Sequence, residues 1–277
     1  MDRLFRALPR FKGKARLAKL LFAKAISKKA DLKISGKYGC RYIIPNILEN
    51  VGFDIFINGC YEPEIQELIC KLLPRNGCLL DLGANIGSII VPVCKRRPDI
   101  RAVGVEAAPW IYSYLEKNVL INDLKNVQLI NNALFDTDNV ELDFFSPHDK
   151  FGKGSLAPVF TKEGIKVKSK KLDTLVNDLQ ISRVDVIKID VEGFEHFVFK
   201  GGQHLLSRSD APIIIFEFVD WAEKRAMGLE AGAAQRMLMD MGYQLYEIHE
   251  KKIVKVSTHR ENGAANFVAS KEKINFL

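Results

Sequence analysis

The 277-residue chain has 47% hydrophobic and 27% charged residues, proportions that exclude a disordered or fibrous polymer and suit a folded domain with a full core. No apolar run reaches the roughly 18 residues of a membrane span, and the N-terminus lacks a signal-peptide core, so a cytoplasmic location is expected. The net charge of +7 is local: residues 1–41 hold 13 Lys or Arg against Asp2 and Asp31, giving +11, while the remainder holds 28 basic and 32 acidic residues, giving −4.

Residues 1–41 therefore read as a basic extension of one domain spanning 42–277. Within it, "GKARLAKLLFAKAISKKA" sets Leu17, Leu20, Leu21 and Ala25 at helical spacing among lysines. That is the pattern of an amphipathic surface helix, either simply solvated or in peripheral contact with anionic membrane or a partner through residues 1–35. Cys40, Cys60, Cys70, Cys78 and Cys94 are odd in number and form no CxxC pair, so neither a disulfide framework nor a thiolate metal site is expected.

Next along the chain, "RYIIPNILENVGFDIFING" reads as short extended pieces, and "EPEIQELICKLLP" as a one-faced helix ended by Pro74 and Asn76-Gly77. An alternation then begins. "CLLDL" predicts a strand, 87–97 a helix that Pro92 either makes start near Val91 or bends there, "RAVGVEA" a strand, 110–121 a helix and "VQLINNA" a strand. Residues 134–172 break the rhythm as a β insertion, its strands "NVELDFF" and "IKVKSKKL" separated by a loop over 146–157. The alternation resumes with "VDVIKID", a helix over 194–207, "PIIIFEF", a helix over 230–241, and strands in "YQLYEI" and "NFVAS". Such alternation implies a Rossmann-like α/β fold, a mostly parallel sheet with helices on both faces.

Ligands of such sheets bind beyond the carboxyl ends of the strands. "LLDLGANIGS" puts Asp81, Gly83, Ala84, Asn85 and Gly87 there, and Glu106 closes the next strand. A carboxylate at Glu106 suits the two hydroxyls of a ribose. The middle glycine of a dinucleotide motif is replaced by Asn85, and Asp81 disfavours a pyrophosphate, so a cationic nucleoside derivative, S-adenosylmethionine, is favoured over a nicotinamide dinucleotide.

"YEPEIQELICKLLPRNGCLLDLGANIGS", "GVEAAP", "INNALFD", "KKLDTL" and "VIKIDVEGFEHFVFKGG" together resemble the FkbM-type family of S-adenosylmethionine-dependent methyltransferases over about residues 50–250. The resemblance implies the class I methyltransferase fold, with a seven-stranded sheet whose last strand is antiparallel. It also implies methyl transfer to a hydroxyl oxygen of a glycan or secondary metabolite. By the same resemblance Asp81, Gly83, Asn85 and Gly87 hold the methionine half, Glu106 the ribose, and Ala107, Asn132 and Ala133 the adenine. His196 and Phe197 depart from the expected pattern on the acceptor side.

In "KIDVEGFE", Asp190 and Glu192 leave the fourth strand at the same sheet edge, and Glu217 ends the strand beside it. These three carboxylates are the candidate bases, Asp190 first, with His148 and His196 behind. Each has a structural alternative: Asp190 as a donor contact, Glu192 as a helix cap, Glu217 as the partner of Lys188. Tyr61 and Glu62 either close over the donor or start a helix. No required metal is expected. A nucleic-acid methyltransferase is suggested by the basic extension alone, since residues 42–277 show no basic stripe interleaved with aromatics. A non-catalytic S-adenosylmethionine-binding module remains the alternative from another class.

Overall fold

The computed structural model describes Leu8, Gly13, Lys14, residues 16–18, Leu20, residues 30–249 and residues 252–274. In the N-terminal extension Lys14, residues 16–18 and Leu20 are helical. Ala18 is buried against Phe53 and Ile57, whereas Leu17 and Leu20 face outward; Leu21 and Ala25 lie outside the described residues. An antiparallel hairpin follows, β1 (Ala30–Ser35) with β2 (Arg41–Asn46), and the boundary expected at residue 41 falls inside it.

Residues 50–58, expected to be extended, instead form α1 (Asn50–Asn58). The helix is buried on two sides: Val51 and Ile55 enter the main core, Phe53 and Ile57 the small cluster with Ala18. Two buried faces mimic a period of two. The Glu49 carboxylate caps its start by accepting the Val51 amide at 2.8 Å, and Gly59 closes it at φ +79°.

The alternation then unfolds as read, through α2 (Pro63–Leu72), β3 (Cys78–Leu82), α3 (Ile90–Arg96), β4 (Arg101–Val105), α4 (Pro109–Ile121) and β5 (Val127–Ile130). Pro92 is the third residue of α3, where its missing N–H has no intrahelical acceptor to lose. The insertion is a separate sheet of order β6-β8-β7, made of β6 (Ala133–Leu134), β7 (Glu141–Phe144) and β8 (Ile165–Lys170). After it come α5 (Leu172–Asp178), which the sequence reading did not anticipate, and β9 (Val186–Ile189). The single helix expected over 194–207 is two, α6 (Glu195–Gly201) and α7 (Gln203–Ser207). Asp173 starts the second one by accepting the amides of His204 and Leu205, each at 2.9 Å. β10 (Ile213–Val219), α8 (Asp220–Glu223), α9 (Ala233–Asp240), β11 (Gln244–His249), β12 (Lys252–Val256) and β13 (Ala264–Ser270) complete the chain.

The main sheet has eight strands in the order β12-β11-β13-β10-β9-β3-β4-β5, rather than the seven expected. β13 runs antiparallel to both β10 and β11, as the resemblance implied, and the eighth strand, β12, is a half-exposed edge hairpin on β11. Leu79, Ala102, Val186 and Ile215 pack under α2–α4 on one face; Leu80, Val103, Ile187 and Ile214 pack under α5–α7 and α9 on the other. From β3 the chain steps outward to β4 and β5, then returns on the opposite side as β9, so the strand order reverses between β3 and β9. That reversal leaves a crevice at the strands' carboxyl ends.

Candidate active site

A cleft of about 1050 Å³ occupies this crevice. The loop from β3 to α3 forms its floor. Gly83 sits at φ +82°, and a Cβ there would overlap the Asp190 carbonyl oxygen, so the bare backbone lets the loop press against the end of β9. Gly87 does not line the cleft as expected; at φ +87° it makes room for Val91 and Leu115, seating α3 against α4.

Asp81, at the end of β3, is 1% exposed, and neither of its carboxylate oxygens has a hydrogen-bond partner among the described residues. Burial, with a smaller push from the charge of Asp190, raises its pKa to about 6 against the opposing charge of Lys188 and the nearby Ile90 amide. A buried carboxylate whose oxygens complete no hydrogen bond is costly by itself. It fits a cationic ligand group that supplies the missing donors.

Glu106, at the end of β4, is also buried, and it ties two loops together. Its Oε2 accepts the Asn85 amide at 3.0 Å and its Oε1 the Ala108 amide at 2.9 Å. Burial pushes its pKa up to about 7 while these amides pull it down. Glu106 lines the cleft, and a carboxylate oxygen that accepts one hydrogen bond can accept a second. Ala84, Ala107 and Asn132 line the walls; Ala133, buried in β6, does not. Asn131, unnoticed in the sequence, braces this corner by donating to the carbonyls of Glu106 and Ala107 at 2.8 and 3.0 Å.

The three acids of the opposite rim, Asp190, Glu192 and Glu217, all line the same cleft. Lys188, one face of β9 below them, donates to Asp190 Oδ2 at 3.2 Å, and Lys153 to Glu192 Oε1 at 3.0 Å. Glu217 is thus not the hydrogen-bonded partner of Lys188. Nor does Glu192 cap α6: it sits at φ +52° in the turn before it, and Glu195 accepts the Val191 amide at 3.0 Å. Burial, then the charge of Asp190, pushes Glu192 and Glu217 up to about 7. Tyr61 lines the cleft, whereas Glu62, at φ +41° ahead of α2, lines a smaller cavity of about 240 Å³ shared with Lys188, Asp190 and Glu217.

Neither histidine reaches the cleft. His148 stacks on Trp110 with ring centroids 4.4 Å apart, and His196 packs edge-on to Phe197.

A model of the "Methyltransferase FkbM domain" matches residues 81–245. The chain belongs to the FkbM methyltransferase family. S-adenosylmethionine is its cofactor. The "Methyltransferase sdnD" of Sordaria araneosa is 26% identical over an alignment 180 residues long that covers 53% of this chain and 66% of that relative, just under two thirds of its length. Among solved structures, the precorrin-6y C5,15-methyltransferase of Geobacter metallireducens covers 76% of this chain and 88% of its own at 14% identity and a TM-score of 0.44. TYW2 of M. jannaschii in complex with AdoMet covers 87% and 85% at 18% identity and a TM-score of 0.42.

In this FkbM-family chain the insertion supplies a roof over the cleft. Asn85 donates to the Phe151 carbonyl at 2.9 Å, Asn46 to that of Asp149 at 2.9 Å, and Trp110 to Ser146 Oγ at 3.0 Å. Phe144, Phe151, Gly152, Lys153 and Gly154 thereby line the site, with Glu49 beneath them. These contacts join residues far apart in the chain and left no local signal. Lys188 did leave one: a lysine inside the apolar strand "VDVIKID" must find buried counter-charges.

Proposed function

We propose that the protein transfers the methyl group of S-adenosylmethionine to a hydroxyl oxygen of a small hydroxylated molecule or glycan. The observation that carries this reading is that the unpartnered Asp81, the ribose-suited Glu106 and the acids Asp190, Glu192 and Glu217 all face one covered cleft. When bound, S-adenosylmethionine supplies a methyl group on positively charged sulfur. Asp81 receives the ammonium of its methionine half, Glu106 the two ribose hydroxyls, and Ala107 with Asn132 flanks the adenine.

Asp190 takes the proton of the acceptor hydroxyl. Glu217 and Glu192, pushed up to about 7 by burial, stand next to it and hold or pass on that proton near neutral pH. The roof over residues 146–157 excludes water, which would compete with the acceptor, and fixes the acceptor's approach; such positioning is a large part of the acceleration of bimolecular transfers. Crowding of rim carboxylates favours an acceptor rich in hydroxyl donors over one bearing phosphate or carboxylate groups.

The test is mass-spectrometric detection of a methylated product from glycan and metabolite pools, repeated with Asp190→Asn. Turnover falls by more than about 100-fold, the order of a lost general base, while calorimetric donor affinity changes less than about threefold. Equal losses in both would remove Asp190 as the base, and donor binding without turnover on any pool would leave a binding module.

A further inference from the structure

Lys188 stands opposite Asp81 in the register of β9 against β3, so both side chains leave the same face of the sheet. It is 7% exposed in a strand that is otherwise apolar, and it lines both the main cleft and the smaller cavity behind it. Acids surround it from every element packed there: Asp81 from β3, Asp190 just past β9, Glu217 from β10, and Glu62 ahead of α2. Glu192 and its partner Lys153 lie above, Tyr61 is beside Glu62, and Cys94 of α3 lies near Asp81. Its one hydrogen bond in this set goes to Asp190. Asp81 is left with the lysine's charge and the weaker pull of the Ile90 amide, and neither of its oxygens completes a hydrogen bond among the described residues.

We propose that Lys188 is a positioning residue of the donor site: it fixes the Asp190 carboxylate by direct contact and, by charge alone, keeps Asp81 ionised toward the ammonium of the donor. The inference rests on the reading of Asp81 as that ammonium's partner. Lys153 does not substitute for it, being committed to Glu192 at the cleft's outer wall. Although burial disfavours the lysine's own charge, Asp190, Asp81 and Glu62 more than offset this and hold its pKa above the usual lysine range, so the charge persists throughout the neutral pH range. Without it, Asp81 keeps the burial and the neighbouring Asp190, which both raise its pKa, and loses the one opposing charge.

A charge role and a packing role differ in how they respond to pH. S-adenosylmethionine affinity is measured by calorimetry at pH 6, 7 and 8.5 for the wild type, Lys188→Met and Lys188→Arg. Taking the variant-to-wild-type ratio at each pH cancels the titration of the donor's own ammonium. An opposite charge beside a carboxylate shifts it by about 1 to 3 pKa units. A shift of about 2 units makes Lys188→Met about tenfold weaker at pH 7, with the deficit growing toward pH 6 and closing to under about twofold at pH 8.5. Lys188→Arg, which keeps the charge, stays within about threefold throughout. A Lys188→Met deficit of equal size at all three pH values would overturn the proposal and assign the lysine to packing. If Lys188→Met does not fold, the double variant Lys188→Gln/Glu62→Gln, which removes one buried charge of each sign, carries the same expectation. A wild type that fails to bind the donor would instead refute the underlying reading of Asp81.

Discussion

At the scale of single residues, Glu106, the proposed ribose contact, is also a structural carboxylate. With one oxygen on the Asn85 amide and the other on that of Ala108, it ties together the two loops that flank the cleft, a structural role beside the proposed contact with the ribose. Glu106→Ala is expected to weaken S-adenosylmethionine binding by one to two orders of magnitude, from the loss of hydrogen bonds to a charged group worth about 1 to 3 kcal/mol. Calorimetry checks this, and unchanged affinity would refute the ribose assignment. Glu106 was legible in the sequence because an acid closing an apolar strand has few structural reasons to be there. Glu49 and Lys153 were not, because each meets the cleft only through the roof. Glu195 was overlooked for a related reason: a helix-start acid is commonly solvated, whereas this one is 5% exposed and holds the Val191 amide.

At the scale of elements, the loop from β3 to α3 explains why its two glycines are unequal. A side chain at Gly83 would collide with the rigid backbone of Asp190, whereas one at Gly87 would meet the side-chain carbons of Val91 at 2.9 Å and Leu115 at 3.1 Å, which yield more readily than backbone. Both positions carry the penalty of positive φ. Gly83→Ala is therefore expected to cost more than about 3 kcal/mol or to prevent folding, and Gly87→Ala about 1 to 2 kcal/mol. Chemical denaturation of the two variants ranks them, and the reverse order would contradict the packing described. Periodicity served well where an element buries one face, as in α2, and failed at α1, where two buried faces imitate a strand. It also passed over β12, whose alternation is diluted by exposure at the sheet edge.

At the scale of the whole molecule, the parallel sheet with helices on both faces was readable from the alternation of strands and helices, while the folding of the insertion over the cleft was not, since that depends on contacts between distant loops. The resulting site concentrates acids, and this has a consequence for stability. Burial raises the carboxyls of Asp81 to about 6, Glu106, Glu192 and Glu217 to about 7, and Glu195 to about 8. Between the ordinary carboxylate values and these, the folded protein holds protons that the unfolded chain has released. Stability present below about pH 4 is therefore lost as pH rises toward 8. The donor-free protein is expected to show a falling Tm from pH 5 to pH 8, and Glu195→Gln, which keeps an acceptor for Val191, to flatten that fall. A Tm that rises over this range would contradict the burial of these acids. The central claim is that S-adenosylmethionine lies between the ends of β3 and β4 with its methyl group toward Asp190, Glu192 and Glu217, and a crystal structure of the complex tests it most directly. The account predicts the methionine ammonium within hydrogen-bond distance of Asp81 and both ribose hydroxyls on Glu106; a donor seated elsewhere, or Asp81 left without a partner in the complex, would contradict it.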